Sequence, residues 1–164
     1  MPYQRMKRVT VVLGAVAVVV ALAAAGFFLT RPTIQEINMG MSEFVFLLDG
    51  SPNPTIKVKA GVPVKLTVIN RGGVTHELMI VERTVLDKIL DLGAVSKHHM
   101  EEALGGHPHP LFGVELKDVK TGESRSTTFT PDKPGTYAIA CFEDGPDEVV
   151  HVHRGMHTVL IVEP

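Results

Sequence analysis

The chain has 164 residues, 45% hydrophobic and 21% charged, with 8 His, 7 Met and 1 Cys. That length holds one globular domain and a modest extra segment, and a single cysteine rules out an intrachain disulfide. Of 16 basic residues, Arg5, Lys7 and Arg8 precede the first apolar run, which leaves 13 basic against 18 acidic side chains, a net of −5, for residues 31–164; with no basic stripe, this argues against nucleic acid as a partner.

The first element is the apolar run Val9–Leu29, interrupted only by Thr10. Roughly 20 apolar residues suffice to cross a bilayer, and the basic flank predicts that the chain beyond Arg31 lies outside the cytoplasm. Ala23-Ala24-Ala25 offers a small-residue cleavage site, so residues 1–30 read either as a membrane anchor or as a signal segment. The run continues through Phe27, Phe28 and Leu29, which favours a retained anchor. Residues 31–41 read as a linker or first strand.

Short β-type segments follow, separated by turns. Ser42–Leu48 ends at Asp49-Gly50-Ser51-Pro52-Asn53-Pro54, a dense turn signal. Thr55–Lys59 alternates Ile56 and Val58 with Lys57 and Lys59, the pattern of a half-buried strand. Val64–Asn70, His76–Val81, Val114–Val119, Ser124–Thr130, Thr136–Cys141 and Thr158–Val162 complete the set. So many short strands predict an all-β, antiparallel sandwich. Residues 84–105 break the pattern. Thr84 and Ser96 are candidate N-caps, and Gly93 and Gly105 candidate stops, for two short helices inserted as a lid.

Cys141 closes the apolar strand that begins at Thr136, and His151-Val152-His153-Arg154-Gly155-Met156 follows. Side chains alternate along a strand, so Tyr137, Ile139 and Cys141 share a face, as do His76, Leu78 and Ile80. His76 opens its strand and Cys141 ends its own. Antiparallel or facing strands would therefore bring the imidazole and the thiol to one end of the sandwich. Thiolate, imidazole and thioether together suit copper in both oxidation states, as a His₂Cys site with a weak axial Met. An unpaired thiol in an oxidising compartment is also protected when a metal occupies it.

These residues resemble those of the cupredoxins, the blue (type 1) copper proteins. The likeness rests on Thr75-His76-Glu77, the lead-in Pro134-Gly135-Thr136-Tyr137, Cys141, and His151 through Gly155-Met156. It covers most of 42–163, making 42–164 the expected cupredoxin domain, a Greek-key β-sandwich. It is nearest to exported cupredoxin-like proteins with a His- and Met-containing insertion. The resemblance implies one type 1 copper, with His76, Cys141 and His151 as equatorial ligands and Met156 axial. His153 is the alternative to His151, which leaves the family's more usual interval before Met156. The family keeps a much shorter Cys–His loop, whereas nine residues separate Cys141 from His151.

The function this implies is single-electron transfer between redox proteins such as cytochromes or an oxidase, in the periplasm or at the outer face of the membrane. No substrate chemistry is expected, and the soluble part is expected to be monomeric. Copper storage, delivery or resistance is the first alternative, and an accessory subunit of a membrane redox complex the second. His98, His99, Met100, His107 and His109 in the insertion are candidates for a weak second copper site. Glu143, Asp144, Asp147 and Glu148 are candidates for steering a basic partner. A histidine ligand on an exposed loop is the expected route for electrons.

Overall fold

Period-two alternation is realised in several of the strands. In the computed structural model, which describes residues 33–164, Ile56 and Val58 are buried while Lys57 and Lys59 are exposed. Ten strands result: β1 (Gln35–Ser42), β2 (Val45–Leu48), β3 (Ser51–Pro52), β4 (Ile56–Lys59), β5 (Val64–Asn70), β6 (His76–Glu82), β7 (Glu115–Val119), β8 (Ser124–Phe129), β9 (Gly135–Ala140) and β10 (His157–Glu163). They form two five-stranded sheets, ordered β3-β2-β1-β5-β8 and β4-β10-β9-β6-β7. The candidate anchor Val9–Leu29 lies outside the described residues, and among those described no helix is long and apolar enough to cross a membrane.

The expected all-antiparallel pairing needs correction. β1 pairs parallel with β5, and β4 parallel with β10, so each sheet is mixed. Parallel neighbours need a long crossover. Here β2, β3 and β4 intervene between β1 and β5, a connectivity that local patterning does not encode. A second correction concerns Ser42–Leu48, expected as one strand. It folds into a hairpin, because Glu43 and Phe44 form a tight turn with Phe44 at φ 59°.

The main core lies between the sheets and includes Met39, Met41, Phe46, Leu66, Leu78, Ile80, Tyr137 and Ile139. β6 and β9 are buried on their second face as well. There Met79, Val81, Ala138 and Ala140 pack under two helices, α1 (Arg83–Asp91) and α2 (Lys97–Leu104), through Leu86, Ile89 and Met100. The insertion is therefore a third layer over the two strands that lead to His76 and Cys141. Ser96 caps α2, its hydroxyl accepting from the His99 N–H at 3.3 Å. Thr84 is no cap: it lies inside the first turn of α1, whose N-cap is Glu82, with no side-chain bond.

Candidate metal centre

Four chain segments converge at one end of the sandwich. β6 and β9 are antiparallel neighbours, with Met79 opposite Ala140. Continuing that register sets Cys141 across from Leu78, one pleat from His76. The turn delivering His76 is held by buried Asn70, whose amide donates to the carbonyls of Val74 (2.7 Å) and Val119 (2.8 Å) and accepts from the Gly72 N–H (2.8 Å). Between His76 and Leu78 the β6–β7 register shifts, an irregularity of the kind that re-aims side chains beside functional sites. The displaced residue, Glu77, points its N–H at Cys141 Sγ, 3.2 Å away.

The long interval from Cys141 to His151 closes by folding on itself. Asp144 bridges Val150, the Gly145 N–H donates to Val149 O (2.8 Å) and the His151 N–H to Glu143 O (2.9 Å). This small hairpin removes most of the extra length and returns His151 to the side of Cys141. A 3₁₀ turn, His151–Arg154, then runs into Gly155 at φ 93°, a left-handed position that favours glycine. Met156 is next, its N–H donating to His151 O (3.2 Å) and its carbonyl accepting from the Cys141 N–H (3.1 Å).

The donor atoms meet. One nitrogen each of His76 and His151 and the sulfur of Cys141 lie within 4.8 Å of one another. The two Nδ1 atoms are 3.1 Å apart, and Cys141 Sγ is 3.3 Å from His151 Nδ1. Each ring finds its polar partners through Nδ1 alone, both Nε2 atoms being buried without one. His76, Cys141, His151 and Met156 are all 0% exposed. Among the described residues this is the one His/Cys/Asp/Glu group with metal-ligand spacing, and His153, half-buried, is not part of it.

Burial sets the protonation states. It pulls His76 and His151 down to about 4, helped at His76 by the neighbouring His151, so both rings are neutral at pH 7. Burial pushes the Cys141 thiol up to about 12 against the backbone N–H groups of Glu77 and Glu143, which favour the thiolate. A proton satisfies one pair of these three donors at a time; a cation satisfies all three and stabilises the thiolate. The neutral imidazoles are already in the form that coordinates a soft metal, whereas the thiol would have to give up its proton to do so. Glu77 itself is buried and raised to about 7, chiefly by desolvation, with Lys97 Nζ 3.9 Å from its carboxylate.

No family model matches the chain, and no curated protein matches it. Solved structures do. Reduced auracyanin of the photosynthetic bacterium Roseiflexus castenholzii superposes with TM-score 0.56 at 23% identity, over 79% of this chain and 98% of that one. Auracyanin B gives 0.55 at 24%, over 82% and 91%. Rusticyanin from Thiobacillus ferrooxidans gives 0.53 at 17%, over 79% and 78%. The fold is that of the cupredoxins.

Within this cupredoxin fold the remaining candidates fall elsewhere. Met100 is fully buried beneath α2, in the second core. His107 lies between two carboxylates, Nδ1 2.7 Å from Glu101 and Nε2 2.9 Å from Glu115. His98, His99 and His109 are exposed. The structure thus gathers no second metal group from the insertion among the described residues. Three of the four loop carboxylates are occupied at home: Glu143 pairs with Lys97 (3.3 Å), Asp144 accepts from the Lys97 N–H (2.7 Å), and Asp147 pairs with Arg154.

The exposed histidine ligand expected from the sequence is also corrected. His151 is buried because the ring of Phe44, in the β1–β2 turn, packs edge-to-face on it at 5.0 Å. Arg154 covers Phe44 in turn, 4.8 Å from its centroid. Phe44 carries no turn signal, so sequence reasoning had no purchase on it.

Proposed function

We propose that the protein is a type 1 (blue) copper protein that carries single electrons between redox partners outside the cytoplasm. The observation that carries this reading is the convergence of His76, Cys141 and His151 donor atoms within 4.8 Å, fully buried, beside Met156. His76, Cys141 and His151 would hold the metal as equatorial ligands, with Met156 axial. Bound copper supplies a one-electron couple that thiolate, imidazole and thioether accommodate in both states. The chain's own part is to keep the site dry and fixed. Strands and a hydrogen-bonded hairpin hold the ligand backbones, so little reorganisation accompanies a change of charge. The Glu77 N–H at 3.2 Å from the sulfur stabilises the thiolate. A closed site with no exposed donor suits a carrier rather than an enzyme.

Electrons would pass through the Phe44 cover rather than through a bare imidazole edge. The donor and acceptor proteins would be cytochromes or an oxidase, docking at the end of the sandwich where Phe44 lies, on a monomeric soluble domain. The basic flank and apolar run before residue 31 support an extracytoplasmic, anchored placement. Among the solved structures that match, rusticyanin is described as a copper protein, which supports the choice of metal. Copper delivery loses ground because Met100 is packed away and His107 is engaged by carboxylates.

The test is the visible spectrum of the full-length protein loaded with Cu(II), beside Cys141→Ser. An intense thiolate-to-copper band that vanishes in the variant is the expected result. A weak spectrum indifferent to the substitution would sink the proposal.

A further inference from the structure

Met156 sits in a segment gripped by a connection distant in the sequence. Asn53, in the β3–β4 connection, donates from Nδ2 to the carbonyl of Gly155 at 2.9 Å, across 102 positions of sequence. That carbonyl also accepts from the His157 N–H (2.8 Å), and the N–H of the same peptide group, on Met156, donates to His151 O (3.2 Å). The Gly155–Met156 peptide is thus fixed at both its oxygen and its nitrogen. Pro54 adds a second clip two residues beyond Met156, its carbonyl accepting from Thr158 Oγ1 at 2.6 Å.

Asn53 is itself over-determined. Its N–H donates to Phe46 O (2.7 Å) and its Oδ1 accepts from the Phe46 N–H (2.9 Å). It lies between Pro52 and Pro54 at φ 43°, a left-handed conformation that asparagine tolerates better than most residues. Strained backbone of this kind persists where the surroundings demand it and points to a functional constraint. Here the strained residue directs its side-chain amide at the peptide that leads into Met156.

We propose that Asn53 is a positioning residue for the metal centre: its side-chain amide sets the placement of Met156 relative to His151 and Cys141. The inference rests on the copper reading for its electronic consequence, but the clip exists in the chain alone. Asn53→Asp keeps the acceptor for Phe46 and a left-handed-tolerant shape while replacing the donor to Gly155 with a carboxylate oxygen. Asn53→Gly keeps the backbone freedom and removes the whole amide.

Two readouts on the full chain test it. Without metal, Asn53→Asp should speed hydrogen exchange of the Met156 and His157 amides about tenfold, with β5–β8 amides unchanged. Loaded with Cu(II), both variants should change the relative intensities of the thiolate-to-copper bands and shift the reduction potential, since the axial ligand tunes both. Unchanged exchange overturns the proposal. So do unchanged bands and potential in a chain that loads as a thiolate–copper centre, even if Tm falls, because a purely structural clip would lower Tm alone. A parent chain that never develops the band would count against the copper reading, and the exchange result would still decide the role of Asn53.

Discussion

Seven of the eight histidines fall in two stretches of this chain, 98–109 and 151–157, each with one methionine, and the two have opposite fates. In the insertion, His98, His99 and Met100 are adjacent, with His107 and His109 close behind, yet helix geometry sends them apart. His98 and His99 go to solvent, Met100 to the second core, and His107 to hydrogen-bond distance of Glu101 and Glu115. At the sandwich end, His76 and Cys141 are 65 positions apart, yet their donor atoms meet. Density along the chain says little about a ligand set. What assembles one is strands ending at the same place, with a loop that returns there.

The contrast is broken most forcefully at the loop histidines. His151→Ala removes a donor from the buried group, and the thiolate-to-copper band should be lost or replaced by a weak spectrum. His153→Ala, two residues away and outside the group, should leave the band in place. The reverse result in visible spectra would transfer the ligand role to His153 and require the 3₁₀ turn to rotate on loading.

Why some of this was legible follows from where the information sits. Tyr137, Ile139 and Cys141 fall in the core between the sheets while Ala138, Ala140 and Phe142 pack under the helices, as strand alternation requires. The same rule separates Leu78 and Ile80 from Met79 and Val81. Local periodicity was enough there. It could not reveal that β1 joins β5 in parallel, because strand order is a property of crossovers. Nor could it mark the turn at Phe44, since a bulky aromatic at positive φ reads as strand interior. The sequence suggests a histidine ligand on an exposed loop for the same reason: the cover on His151 comes from a residue 107 positions away that gives no signal of its own. Proximity in sequence groups Met100 with its histidine neighbours, but the face of α2 decides its environment.

The buried pair also makes a prediction in pH. His76 and His151 titrate near 4 in the folded chain against an ordinary 6.5. Between those values the unfolded chain binds protons that the folded chain refuses, so stability falls as pH drops from 6.5 towards 4 and is independent of these rings above it. At about 1.4 kcal/mol per pKa unit, each ring contributes up to about 3 kcal/mol of that loss. Denaturant titrations of the metal-free protein across this range measure it. His151→Ala should remove its share, and a profile unchanged by that substitution would contradict the burial of the ring. Loading at pH 7 should also release a proton, because the thiol, pushed up to about 12, is protonated until a cation arrives.

The smallest effects on the metal centre belong to the insertion, and they separate its two faces. Met100→Ala empties a fully buried position among Met79, Leu86, Ile89 and Phe142, and should cost about 2–5 kcal/mol of stability with no change in the copper spectrum. His98→Ala and His99→Ala, both exposed, should change stability by no more than about 0.5 kcal/mol. A copper titration of the parent chain should saturate at one equivalent, and the double histidine variant should reproduce it. A second equivalent that disappears in the double variant would restore the insertion as a metal site. It would then be a site built on solvent-facing side chains of α2, without Met100, whose thioether is committed to the packing that covers β6 and β9.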